Sequence, residues 1–331
     1  MRLKQFFFLA TGLAALSASA LVPLAAFAQA KYPERAIRLV VPFGPGGVVD
    51  VVGRHWAARM RPLLGTVVVE NVGGAGGMIG AADVARAQPD GYTLLLGNSS
   101  TQIIIPAVMS GVRYDPVKAF VPISVVAISA NAIVISAAVP AKTLREFIDY
   151  ARANPGKISF GSAGAGTLSQ LTGEMFKQMT GLNDIVHIPY KGAGPGMVDL
   201  VSGHIPMLAT NITGPVLELH RAGKIRIVAA TSRARLKGVP DLPIAIESGM
   251  PGFVVELFTA LFAPAGTPRA IVEQIAQATQ KALAEEEFQQ ALVKSGFEVS
   301  PDTSPDRALK FVSDEHARLT PVIKAVGLKL E

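Results

Sequence analysis

Apolar positions recur along this chain in two rhythms: short β-branched runs of four or five residues, and longer stretches in which they return at helical spacing. Strand, loop and helix follow in steady order, the pattern of a mainly parallel sheet flanked by helices. Runs at 37–41, 66–70 and 93–96 predict strands, while 50–64 and 78–87 predict helices, with Gly65 closing the first. The alternation restarts after Asn131 with a strand to Ser136, a helix over 144–153, a turn at Asn154-Pro155-Gly156, a strand at 158–160 and a helix over 167–179. Strands at 184–188, 205–209 and 225–230 follow, and a further apolar run at 253–263 stops at Pro264. Thr267-Pro268 and Ser304-Pro305 each offer a capping residue with proline at the first helical position. The tail therefore predicts two or three helices, placed as outer cover on the first of two lobes.

One stretch, 119–141, carries no charge and is long enough to span a bilayer. Nine of the residues at 120–140 are Val or Ile, Pro122 stands near the start and Asn131 interrupts the middle. That composition suits two buried strands meeting near Asn131 better than one helix. They would carry the chain between lobes formed by residues 29–127 with 252–331, and by 128–251.

The N-terminus changes the setting. Arg2 and Lys4 precede an uncharged stretch at 6–24, and Ala26 and Ala28 flank Phe27, the spelling of an export signal cleaved near Ala28. The 331 residues contain no cysteine, so neither a disulfide framework nor lipid attachment at cysteine is available. A protein exported to a bacterial periplasm is the simplest destination. The net charge of +6 is scattered, and Arg233, Arg235 and Lys237 form too small a cluster for a nucleic-acid footprint.

Candidate chemistry gathers where strands end. Two apolar runs break into glycine loops and then open helices, at IRLVVPFGPGGVVD (37–50) and KISFGSAGAGTLSQ (157–170). Such loops bring bare backbone N–H groups to the positive end of a helix, beside whatever lies above the strand. In the second, the loop proper, 161–166, gains the hydroxyls of Ser162 and Thr167 and contains no Arg or Lys, which suits reversible capture of a carboxylate. Further loops, NVGGAGG (71–77), GNSSTQ (97–102) and PYKGAGPG (189–196), are predicted along one crevice, with Asn98, Ser99, Tyr190 and Lys191 as candidates. Asp50 reads as a dipole-complementing acid, or as a partner for water or an ammonium group. Asp199 reads as a surface or capping acid.

Neither G-x-G-x-x-G nor G-x-x-x-x-G-K-[ST] occurs, and the histidines lack metal-ligand spacing, so no cofactor or metal is expected. The segment Phe160-Gly161-Ser162-Ala163-Gly164 approximates a nucleophile elbow with Phe in place of its first Gly, and His187, His204, His220 and His316 are available as bases. Three readings stay open on the residues alone: a solute receptor, an exported serine hydrolase using Ser162, and a sensory receptor.

YPERAIRLVVPFGPGGVVD, VVVENVGGAGGMIGAADVARAQPDGYTLLLGN, GSAGAGTLSQLTGEMFK, HIPYKGAGPGMVDLVSGHI and the segment from TSRAR through LFAPAGTP together resemble the Bug-type extracytoplasmic solute receptors, the binding proteins of tripartite tricarboxylate transporters. The resemblance covers nearly the whole chain beyond the signal. It implies an α/β, two-lobed periplasmic-binding-protein fold (Venus-flytrap, type II), each lobe a mainly parallel sheet flanked by helices. It implies a monomer that binds a small organic carboxylate and serves an inner-membrane permease or a sensor. By position, Phe43, Gly46, Gly47, Asp50, Asn98 and Ser99 would hold one end of the ligand. Ser162, Ala163, Gly164 and Thr167 would hold a carboxylate at the other, with Tyr190 and Asp199 nearby. Where the family often has histidine, this chain has Gln170, which keeps hydrogen bonding and removes a titratable group.

Overall fold

The alternating runs fold into one long, curled sheet with helices on both faces. The computed structural model describes residues 32–299 and 303–328. The expected export signal and its cleavage near Ala28 lie outside the described residues.

The first half contains β1 (Ile37–Val41), α1 (Val48–Leu64), β2 (Val67–Asn71), α2 (Met78–Ala85) and β3 (Thr93–Asn98). The predicted loop at 97–102 is instead the end of β3 followed by a π-type turn, Ser100–Ile104, running into the short α3 (Ile105–Val108). Asn98 explains the difference, because its Oδ1 accepts the N–H groups of Ser100 and Thr101 at 3.0 and 3.1 Å and so starts the turn.

The uncharged stretch is a single strand, β4 (Phe120–Ser136), and not two. No glycine or proline punctuates it at Asn131, whose backbone stays paired: its N–H donates to Val255 O at 3.2 Å, and its carbonyl accepts from Thr231 N at 2.8 Å. What changes at Asn131 is the partner. Up to Ala130 the strand pairs with β9 (Glu256–Pro264), and from Asn131 on with β7 (Met207–Asn211) and β8 (Ile225–Ala230). Among the described residues no helix is long and apolar enough to cross a membrane.

The second half adds α4 (Leu144–Ala153), β5 (Ser159–Ser162), α5 (Leu168–Thr180), β6 (Val186–Pro189), α6 (Ala193–Val201) and α7 (Gly214–Arg221). The strand order is β2-β1-β3-β9-β4-β7-β5-β6, with β8 also on β4. In each half one strand opposes the rest, β9 in the first and β4 in the second.

Three apolar clusters fill the layers. Ile37, Leu39, Trp56 and Ile275 lie under α1 and the tail helices α8 (Arg269–Ala284) and α9 (Glu286–Lys294). Val134, Leu200 and Leu208 pack on the other face of the second half. The largest cluster runs through both halves, from Val40 and Leu95 to Phe160 and Leu171, and includes Leu319 and Ile323 of the last helix, α10 (Pro305–Val326). The tail thus covers more than the first half. α10 lies on β4, on the turn at 100–104 and on α5, where Gln178 Nε2 donates to Ala325 O at 3.3 Å. Thr267 does not cap α8: its hydroxyl donates to Pro264 O at 2.8 Å, and Pro268 occupies the cap position.

The two arginines of the basic cluster are neutralised where the chain crosses between halves. Arg233 pairs with Glu256 at 2.9 Å and with Glu315 of α10 at 2.5 Å, and Arg235 pairs with Glu247 at 2.5 Å.

Candidate functional site

The loop between β5 and α5 is drawn into a tight cradle by its own side chains. Gly164 and Gly166 take φ angles of +134° and +74°, conformations that favour glycine. Thr167 caps α5, accepting Gln170 N–H at 3.4 Å, while Gln170 reaches back to accept Gly166 N–H at 2.8 Å. The pair is a capping box displaced by one residue, since Gln170 takes the N–H before the cap and Thr167 N–H goes to Gly164 O at 3.4 Å. Ser169 Oγ accepts Ala163 N–H at 2.9 Å. Among the described residues the N–H groups of Ala165, Leu168 and Ser169 have no hydrogen-bond acceptor, and they stand at the positive end of α5.

Beneath the loop lies a chain of three side chains whose protons can be placed. Gln170 Oε1 is fixed toward Gly166, so its Nε2, which only donates, faces His187 Nδ1 at 3.3 Å. Nδ1 is therefore the acceptor. Burial, with Lys177 adding to it, pushes the His187 imidazole down to about 4, so the ring is neutral at pH 7 and carries its proton on Nε2. That proton points to Ser162 Oγ at 2.7 Å. Ser162 Oγ also accepts Gly164 N–H and donates to Gly164 O, each at 3.2 Å. Its hydrogen-bonding capacity is full, and its side chain is turned inward. His187 entered the sequence reading only as one of several histidines. The signal that locates it is strand pairing, since Phe160 and His187 are register partners and their rings stack at 4.7 Å.

The first-half loop, residues 43–47, is organised by charge. Asp50 is buried, with a side chain only 3% exposed, and accepts Gly46 N–H at 2.8 Å, Arg54 Nε at 2.9 Å and Asn71 Nδ2 at 2.9 Å. Burial pushes its carboxyl up, but these three donors outweigh burial and hold it below the usual carboxylate range. Asn71 also donates to Phe43 O at 3.0 Å. Gly46 takes φ +78°, and Gly47 stands at the cap of α1, leaving the N–H groups of Val48 and Val49 without acceptors among the described residues. The Phe43 ring lies against Gly77, where a Cβ would sit 3.0 Å from its Cζ.

These placements divide the expected site residues. Gly46, Gly47, Ala163, Gly164 and Thr167 shape two backbone-lined helix starts. The side chains of Asp50, Asn98, Ser162 and Gln170 are committed to holding turns, and Ser99 Oγ accepts Phe258 N–H at 3.2 Å, tying the end of β3 to β9. The halves meet nearby, with Ala165 O 3.8 Å from where a Cβ on Gly76 would stand. Tyr190 and Asp199 fall on the other face: the Tyr190 ring packs over Gly161 and Gly196, and its hydroxyl donates to Asp199 at 2.6 Å. Burial, with this bond to Asp199, raises the Tyr190 hydroxyl to about 12, and the bond lowers the Asp199 carboxyl. Lys191 is exposed.

The chain is similar to known proteins in both sequence and fold. Residues 52–328 match the family model described as the tripartite tricarboxylate transporter family receptor. The structure of the periplasmic binding protein BugD is 36% identical and superposes with a TM-score of 0.82, covering 91% of this chain and 100% of that one. A protein of R. palustris solved with adipate is 32% identical, with a TM-score of 0.84 over 90% of this chain and 99% of its own. MatC from Rhodopseudomonas palustris, solved with bound malate, is 32% identical, with a TM-score of 0.80 over 88% and 100%. A two-lobed α/β periplasmic-binding-protein fold is what these proteins share with this one, and the chain belongs to the tripartite tricarboxylate transporter receptor family.

Proposed function

We propose that this protein is a periplasmic receptor that closes on a small organic carboxylate and delivers it to the inner-membrane permease of a tripartite transporter. The observation that carries the reading is the neutral cradle at the start of α5, where the N–H groups of Ala165, Leu168 and Ser169 are open and no charged side chain takes part. Backbone donors at a helix start favour an anion without the tight hold of an arginine clamp. The adipate and malate held by the two R. palustris relatives support the same ligand class. Export rests on Arg2, Lys4, the uncharged stretch and the Ala26/Ala28 pair, and on the periplasmic BugD.

In this reading residues 29–127 with 252–331 form one lobe and 128–251 the other, and the protein works as a monomer. Closure is driven by contacts that exist only when both lobes touch the ligand. Acyl transfer through Ser162 is set aside on its proton inventory. A general base must accept the serine proton, whereas His187 Nε2 holds a proton and donates it toward Ser162.

A thermal-shift screen of the mature chain against mono-, di- and tricarboxylates tests the proposal. A ligand at about a hundredfold over its dissociation constant stabilises the bound form by roughly 2.7 kcal/mol. No shift with any acid, together with burst release from activated esters that Ser162→Ala abolishes, would overturn it. Co-purification with a sensor protein instead of a permease would redirect the partner and leave the ligand class standing.

A further inference from the structure

The two halves join at a pair of asparagines that the cradle does not use. Asn131 stands on β4 where its pairing changes, and Asn211 ends β7 directly opposite it in the register. Opposed residues of an antiparallel pair point to the same face. That face is identified by their alternating neighbours, since Ile133, Ile135, Met207 and Ala209 share a core with Leu168 and Leu171 of α5. The asparagines therefore lie where this apolar face ends and α5 begins. The β5–β7 register, Phe160 with Met207 and Gly161 with Leu208, brings Asn211 level with Gly164 when continued.

Both amides are unusual for their burial. Asn131 is fully buried, yet neither its Oδ1 nor its Nδ2 makes a hydrogen bond among the described residues, and Asn211 Nδ2 is also buried and unbonded. Neighbouring hydroxyls do not answer them. Thr231 donates to the carbonyls of Asn131 and Val255, and the nearest acceptor of Ser129 Oγ is Ile212 O at 3.3 Å. Leaving a buried amide unbonded is costly, and fold stability would favour an apolar residue at position 131.

We infer that Asn131 and Asn211, whose unbonded amide atoms are closed off from solvent in this structure, form a neutral donor and acceptor floor below the α5 cradle that selects a ligand bearing a hydroxyl group, a hydroxycarboxylate. A hydroxyl accepts from an amide Nδ2 and donates to Asn131 Oδ1, answering both kinds of orphaned atom at once. A second carboxylate does not, because it only accepts and would bury a charge with no cation beside it. This rests on the carboxylate reading above, with the acid group at α5 and the hydroxyl below it.

The test compares L-malate with succinate, and L-lactate with propionate, by calorimetric titration of the mature protein. The hydroxy acid of whichever pair fits is expected to bind on the order of tenfold tighter than its deoxy partner. Asn131→Leu should bring that ratio to about one and raise the thermal midpoint of the ligand-free protein. Should Asn131→Leu fail to fold, Asn211→Ala, at a partly exposed position, reads the same ratio. Equal affinities in the wild type, or a preference that survives either variant, overturn the hydroxyl selection while the carboxylate reading stands. Binding of neither acid in a pair, extended across the acid screen, overturns both.

Discussion

The two glycine loops look alike in sequence and are held in opposite ways. The loop at 43–47 is pinned by a buried carboxylate, Asp50, and its companions Arg54 and Asn71. The loop at 161–166 is pinned by Ser162, His187 and Gln170, all neutral at pH 7. The difference bears on their tasks in the proposed receptor. The acceptors of the Asp50 carboxylate are taken up by Gly46, Arg54 and Asn71, an ion pair that fixes the first loop, while a neutral scaffold under the second leaves the helix start and its unbonded N–H groups to act on an anion. In that reading the carboxylate lies at α5 and the first loop is the opposing jaw.

The comparison can be broken in order of expected effect. Gly164→Val should remove carboxylate binding altogether in a thermal-shift assay. At φ +134°, with its Cβ 3.1 Å from Tyr190 O, a branched residue also strains the loop, by on the order of 1–3 kcal/mol in denaturant unfolding. Full binding by this variant would take the second loop out of the site.

The pinning of the first loop is next. Asp50→Ala leaves Gly46 N–H, Arg54 and Asn71 without their shared acceptor and should cost about 2 kcal/mol in denaturant unfolding, discounted because Arg54 is half exposed. An unchanged midpoint would mean that charge does not hold this loop.

The neutral scaffold should show itself in pH dependence. His187 is depressed from its ordinary 6.5 to about 4, so between these values the unfolded chain binds the proton the folded chain refuses. Its contribution is complete above about pH 6.5 and is lost as pH falls toward 4, a decline of at most about 3 kcal/mol that solvent screening at this partly exposed ring reduces. His220, also lowered by burial, slopes the same way, so the informative quantity is the part of the slope that His187→Asn removes. Identical slopes in the two proteins would contradict the proton placement. Tyr190→Phe should do least, leaving carboxylate affinity within about twofold, because the Tyr190–Asp199 pair lies on the far face. A tenfold loss would place that face in the site.

The order of elements was legible because glycine and proline punctuate nearly every boundary. Helix 144–153 and strand 225–230 appear in the structure with the same bounds, and Gly181 closes α5 in the left-handed conformation at φ +70°. The long strand was misread where a polar residue stood in for punctuation: Asn131 interrupts the apolar run without interrupting the backbone ladder. The loops themselves were legible, but the direction of their side chains was not. Ser162, Asn98 and Asp50 have the chemistry of ligand contacts and spend it on their own turns, which only the partners' positions disclose. His187 was hidden differently: it opens the segment HIPYKGAGPG, but only the pairing of that strand with Ser159–Ser162 shows that its ring reaches Ser162, and the inferred role of Asn211 likewise depends on strand register.

The most direct measurement is an amide NMR titration of the mature protein with a carboxylate from the screen. Large shifts at the N–H groups of Ala165, Leu168 and Ser169, with smaller ones at Val48 and Val49, are predicted. Shifts confined to Val48 and Val49, with the start of α5 unmoved, would contradict the assignment of the carboxylate to the neutral loop.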